Sequence, residues 1–434
     1  MTVDRHPIEK GHLRRIYSGL SKDRPMPPPF LSRLGKGVSA YGPALFMIGA
    51  TIGTGSVSSL VVAGAEHGTA LLWALIPSCV FFWALISAMS RLTFASGQTF
   101  VSLVKAQLGK TAGFYIVLAI VIGQFSSNIG VLGIVAEAFA SWVGGSFLLS
   151  ALFWSSLIYL IIVFGKYTFF ERVLIVLVAV LGVSFVADMF IAHPPVADVV
   201  RGLVPGVPEG GAMVTAAMVG TTLAGSIIVM RSFVVTDKGW RLADLAHEKK
   251  DAVVSAVLVF VISAAIITCA AATLHAQGLH VDKAIDMAYT LTPLLGKFAA
   301  TLFVIGIIAA GLSSAFPNAL VSIWTISDYF GLSRNPKATH FRLLALVYCG
   351  AGLIAPLAGG RPVLIQIASL AIQALFMPLL VLFMILLLNK KSVVGDYTNG
   401  TGMNIICVVA LLFTSFMAYQ AVKGLVSLVA SLGG

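Results

Sequence analysis

The sequence predicts an all-α polytopic membrane protein of about eleven transmembrane helices in a single membrane domain. Three observations carry that reading. Of 434 residues, 58% are hydrophobic and 10% charged, whereas about a quarter of a soluble domain is charged. The mean hydropathy is +0.98. The apolar runs continue for about twenty residues, the length of a helical span, without the alternation over roughly ten residues that marks a membrane β-barrel. The same composition excludes soluble globular, disordered, collagen-like and disulfide-scaffold classes.

Hydropathy places the spans at roughly 40–65, 69–95, 112–141, 147–164, 169–192, 211–236, 252–275, 295–323, 341–358, 363–389 and 403–430. Residues 1–40 precede them as a polar, basic tail, stiffened by Pro25, Pro27, Pro28 and Pro29. No apolar stretch in that tail resembles a cleavable signal peptide. Residues 193–211, with Pro194, Pro195, Pro205 and Pro208, read as an irregular loop. Residues 237–251 form a polar connection with room for one short helix, and residues 275–294 form the other sizeable loop.

The net charge of +11 is unevenly spread: most Lys and Arg fall in the tail and in alternate loops. That asymmetry predicts a cytoplasmic N-terminus and an external C-terminus, in a plasma membrane of the bacterial inner-membrane type. It is a topology signal rather than a nucleic-acid footprint, which needs a basic stripe on a polar face. Cys79, Cys269, Cys349 and Cys407 all lie in apolar runs. None has metal-ligand spacing, so they read as small buried hydrophobes. No cofactor is expected.

Two spans are interrupted. Span 1 carries Gly49-Ala50-Thr51-Ile52-Gly53-Thr54-Gly55-Ser56, and span 6 carries Gly220-Thr221-Thr222-Leu223-Ala224-Gly225-Ser226. Clustered glycines cost a helix about 1 kcal/mol each and let the backbone leave helical geometry. Small residues also serve close packing between membrane helices. Interruptions at matching places in two halves point instead to a transporter site. Ser56 and Ser226 are about 170 residues and five spans apart. An odd interval inverts the second half relative to the first. The halves are then about 41–192 and 211–389, with an extra span at about 403–430.

Several stretches now carry a family resemblance: Gly42-Pro43 opening span 1, AGAEHGTALLW at 63–73, SRLTFASGQTF at 90–100, FERVLIVLVAV at 170–180, LFVIGIIAAGLSSAF at 302–316, and QALFMP to LLLNKKSVVGDYTNG across 373–400. In order and spacing the chain resembles the natural resistance-associated macrophage protein (Nramp) family of divalent-metal transporters, over nearly all its spans. The resemblance implies the leucine-transporter-type fold, two inverted five-helix repeats with a site where spans 1 and 6 unwind.

The family's working residues are absent. Its span 1 break reads Asp-Pro-Gly-Asn, where this chain has Gly53, Thr54, Gly55 and Ser56. Its span 6 Met-Pro-His becomes Ala224, Gly225 and Ser226. Its acidic proton-path residues in span 3 match Gln124 and Ser127, and a span 6 histidine matches Arg231. A dehydrated divalent cation wants carboxylate, imidazole or thioether ligands. The breaks provide hydroxyls, including Thr222, and backbone groups instead. If Arg231 faced the cavity at roughly 8 Å, repulsion of a dication would cost about 4 kcal/mol at an effective dielectric of 20. Half-helix N-termini with close-approaching backbone amides suit a small anion or zwitterion.

The remaining intramembrane polar residues are Gln124, Ser127 and Asn128 in span 3, Arg231 in span 6, and Gln366 and Gln373 in span 10. Each is a candidate for lining the cavity or for coupling, or else hydrogen-bonds between helices. Arg231 has the further option of snorkelling to the interface. Glu137, Asp188 and Glu66 appear peripheral, so uniport or exchange is expected rather than proton drive.

The leading reading is therefore an Nramp-like secondary transporter for a small anionic or zwitterionic solute. The alternatives are divalent-metal transport through a weak or hydrated site, and a sensor that has lost transport. An enzyme is not expected: the spans hold no His-Glu-x-x-His and no intramembrane Asp pair.

Overall fold

The structure, a computed structural model, describes residues 53–164, 168–237 and 245–433. The tail expected over 1–40 and the start of span 1 lie outside the described residues, as do Gly49 to Ile52 of the first interruption. The described chain is helical throughout its apolar stretches. Span 1 is described over Thr54–His67, span 2 over Leu75–Ser96, span 3 over Lys110–Val143, span 4 over Phe147–Phe164 and span 5 over Thr168–Ala192. Span 6 is divided between Ala212–Thr222 and Gly225–Asp237. Span 7 is Leu245–Thr273, span 8 Ala299–Phe330, span 10 Pro362–Leu388 and span 11 Thr401–Gly433. Span 9 begins as Thr339–Gly350 and runs on through one further turn to Leu357. Nine helices among the described residues are long and apolar enough to cross a membrane. Val176–Ala192 in span 5 is a shorter apolar helix.

Burial separates the inside of the bundle from its lipid-facing rim. Within its most apolar window, span 6 is 83% buried, whereas span 4 is 28% and span 11 is 33% buried. Span 3 packs along spans 8 and 10, span 10 also lies against the first half of span 6, and span 7 packs on spans 1 and 2. Spans 1, 3, 6, 8 and 10 therefore enclose the centre. All four cysteines are buried and free, as their apolar surroundings predicted.

The connections hold more structure than the sequence suggests. The proline-rich loop contains the helix Val196–Arg201. It is tied to the end of span 1 and the start of span 2: Thr69 Oγ1 donates to the Asp198 carbonyl (2.7 Å) and Trp73 Nε1 to that of Gly206 (2.7 Å). The segment after span 7 forms a 3₁₀ helix, Ala284–Leu291. Its first N–H, that of Ala284, donates to Glu137 Oε2 at 2.9 Å. The peripheral glutamate of span 3 thus satisfies one of the amides that a helix start leaves without an intrahelical partner. The polar stretch before span 7 is, from Leu245 onward, the first turns of the span 7 helix itself. Span 8 runs seven residues past the expected end, to Phe330. There Asp328 accepts from Thr99 Oγ1 and from Ser102 N (3.2 Å), at the start of the short helix Phe100–Gln107.

Candidate functional site

The site begins with two places where helices stop or start inside the bundle. Span 6 leaves its helix after Thr222: Leu223 sits at φ −96°, ψ 31°, and a new helix begins at Gly225. Paired β-branched threonines followed closely by a glycine weaken a helix locally. In span 1 the described helix begins at Thr54, behind an extended Gly53 (φ −99°, ψ −173°). The two interruptions touch, for Ser56 Oγ and Thr221 Oγ1 are hydrogen-bonded at 2.9 Å.

Around them lies a cavity of about 30 Å³. That is room for a water or two, each needing two to four polar partners. Its polar wall is neutral. Hydroxyls come from Ser56, Ser127, Thr221, Ser226 and Ser314, and carboxamides from Gln124, Asn318, Gln366 and Gln373. Gly53, Gly55 and Ala224 contribute backbone and small surface, and Val131, Ile227 and Leu370 complete the wall.

The carboxamides are held across the bundle. Gln124 Nε2 donates to Gln373 Oε1 at 3.0 Å, and Gln366 Nε2 to Ser127 Oγ at 3.4 Å. Gln366 Oε1 is buried with no partner among the described residues. That oxygen lies against span 3: a methyl at Gly130 would come 2.3 Å from it. Gly130 makes room for this residue: a methyl there would lie 2.6 Å from the Gln366 Cα. On span 8, Pro317 lies inside the helix between Ser314 and Asn318. It has no N–H for the helical bond to the carbonyl four residues earlier.

Not every predicted residue lines the cavity. Gly53, Gly55, Ser56, Ala224, Ser226, Gln124, Ser127, Gln366 and Gln373 do, and Gly225 lines a smaller adjoining space. Thr54 turns away, its Oγ1 donating to the Ile307 carbonyl (3.2 Å), and Thr222 donates back to Met218 (3.1 Å). Asn128 Nδ2 donates to the Tyr348 carbonyl at 2.8 Å, binding span 3 to span 9. Arg231 neither lines the cavity nor snorkels. It is fully buried, and its Nε donates to Ser90 Oγ of span 2 at 2.9 Å. The charge repulsion expected from a cavity-facing Arg231 is therefore not part of this wall.

Sequence reading missed Thr221, Ser314 and Asn318. Thr221 differs from Thr222 by about 100° of helical rotation, which composition does not reveal. Ser314 lay in the stretch 302–316, read only for its family resemblance, and Asn318 lies just beyond it. Among the described residues, no group of three or more His, Cys, Asp or Glu side chains could hold a metal ion.

Residues 44–423 match the family model described as natural resistance-associated macrophage protein-like. A divalent metal cation transporter MntH from Erwinia tasmaniensis is 26% identical over 373 residues, covering 83% of this chain and 88% of its own. The protein of the same name from Listeria innocua is 23% identical over 402 residues, 87% of each chain. The solved structure of the Eremococcus coleocola manganese transporter, in complex with an aromatic bis-isothiourea substituted compound, superposes with a TM-score of 0.73 at 15% identity, covering 95% of this chain and 94% of that one. Mhp1, a nucleobase-cation-symport-1 family transporter, matches with a TM-score of 0.59 at 17% identity, covering 89% and 90%. These likenesses carry the fold, which is the leucine-transporter type.

Proposed function

The chain belongs to the natural resistance-associated macrophage protein (Nramp) family of membrane transporters, and on that premise we propose that it moves a divalent metal cation carrying part of its water shell. The observation that carries this reading is the wall itself: small, rich in oxygen and without formal charge. A hard cation dehydrates reluctantly, and a cavity of about 30 Å³ admits it with no more than a water or two unless the half-helices part. Those waters need hydrogen-bond acceptors, and the hydroxyl and carboxamide oxygens of the wall can accept from them. The curated relatives are divalent metal cation transporters, which favours this reading over the anionic solute. Arg231 does not line the wall, so it makes no direct contact with an ion held there. Without a carboxylate, affinity is weak.

The test is calorimetry and proteoliposome uptake with manganese(II) and magnesium(II). The expected result is saturable uptake with an affinity of about 10⁻⁴–10⁻³ M, the range of weak oxygen-ligand sites. Ser56→Asp, which puts a carboxylate at the break, should tighten manganese binding about tenfold or more. No binding or uptake of either ion, before or after that substitution, overturns the reading.

A second reading, a small anion or zwitterion, is favoured by one feature. The first turns of two half-helices, Thr54–His67 and Gly225–Asp237, border a cavity that no described acidic side chain lines. A thermal-shift comparison separates the two, because an occupant of the native state raises the melting temperature. Stabilisation by small carboxylates, amino acids or inorganic anions, and not by metals, selects the second. In either case the loops that carry Lys105, Lys110, Lys390 and Lys391 face the cytoplasm, by the excess of basic residues. Transport proceeds by uniport or exchange. Collapse of uptake by a protonophore, together with loss of uptake in Glu137→Gln, sinks that last statement.

A further inference from the structure

A second, smaller space of about 10 Å³ lies beside the central one. Gln124, Gln373 and Ser226 line both. The rest of the smaller space is apolar, with Ala119 and Ile120 on span 3 and Phe376, Met377 and Leu380 on span 10. On span 3 these residues lie nearer Lys110 than Gln124 does, and on span 10 nearer Leu388 than Gln373 does. The smaller space is thus the next step along the bundle toward the end where Lys110 and Leu388 lie. Between the two spaces stands the hydrogen bond from Gln124 Nε2 to Gln373 Oε1, 3.0 Å long, with both residues buried.

We propose that Gln124 and Gln373 form an uncharged gate between the central cavity and the Lys110 end of the bundle. An amide pair that merely packed span 3 on span 10 would not need open space on both sides of it. A neutral pair suits a gate for physical reasons. It holds no ion, and opening it costs about one net hydrogen bond. The apolar wall beyond it resists wetting while the pair is closed. The contact is tight by construction: a methyl at Gly123 would lie 2.8 Å from Gln373 Cγ. Gly225 and Ser226, the first residues of the second half of span 6, complete the wall of the smaller space. A tilt of that half-helix therefore acts directly on the pair.

The test needs no transported solute, so it stands or falls separately from the proposed substrate. Full-length protein with Cys79, Cys269, Cys349 and Cys407 replaced by alanine receives Val131→Cys on the wall of the central cavity. A membrane-impermeant thiosulfonate reagent is applied to each face of oriented proteoliposomes. Gln373→Ala should speed labelling from the Lys110 face about tenfold, the factor that corresponds to about 1.4 kcal/mol. Gly123→Ala keeps both amides but displaces Gln373, and should speed it less. Gln124→Ser serves if Gln373→Ala does not yield monodisperse protein. Labelling rates unchanged at both faces, or raised at the opposite face alone, overturn the gate.

Discussion

Two polar clusters lie within this apolar bundle, and they are built differently. Where span 8 ends, Asp328 accepts from Thr99 and Ser102, while Ser232 Oγ accepts from Phe100 N (3.2 Å) and donates to the Val229 carbonyl (2.7 Å). These oxygens have partners within the protein, and their work is to start the short helix Phe100–Gln107. In the central cavity the hydroxyls and amides pair with one another, from Ser56 with Thr221 at 2.9 Å to Gln366 with Ser127 at 3.4 Å, and they do so around open space. The difference teaches how to tell structure from function among buried polar groups. A cluster that caps a helix contributes to stability, whereas one that lines open space has room for an occupant.

The largest expected effect strikes the place where the cavity is most tightly built. Gly130→Ala forces a methyl against the backbone of span 10, at Gln366. It should lower thermal stability by about 1–3 kcal/mol and abolish uptake, measured by melting temperature and proteoliposome flux. A stable, active Gly130→Ala protein would break the claim that spans 3 and 10 are held in contact there.

The comparison is sharpened by removing one polar group from each cluster. Asp328→Leu leaves the Thr99 cap of the short helix without the carboxylate that accepts from Thr99 and Ser102, and should cost about 1–2 kcal/mol of stability. Gln366→Leu should leave stability unchanged or slightly higher, because an unmatched buried acceptor disappears, while weakening manganese binding about tenfold. Equal stability losses in the two variants would dissolve the distinction between the clusters.

The smallest effect tests one step of helical rotation. Thr222→Val loses only a bond to its own helix and should stay within about 0.5 kcal/mol of the parent with unaltered uptake. Thr221→Val removes the hydroxyl that meets Ser56 across the breaks and should slow uptake several-fold. If the two threonines behave alike, the cavity wall is not where the structure puts it.

Much of this was legible in the sequence. Span positions follow from apolar length, and the span 6 break follows from glycine and paired threonine, because both properties act locally along the chain. The run of residues from Gly53 to Ser56 marked one side of the cavity, and Gln124, Ser127, Gln366 and Gln373 were recognisable as polar groups too costly to bury without purpose. Their partners were not legible. Gln124 meets a residue 249 positions away, and Ser56 one 165 away.

The amino-acid order alone specifies that the chain crosses a membrane repeatedly, where its helices weaken, and that the weakened stretches carry hydroxyls and small residues without formal charge. Folding alone selects which neighbour faces inward: Thr221 rather than Thr222, Ser127 rather than Asn128, and Ser314 and Asn318 from span 8. It also withdrew Arg231 from the cavity by offering it Ser90. The physical reason is rotation. Each residue along a helix turns the next side chain by about 100°, and packing against four other spans sets the zero of that angle.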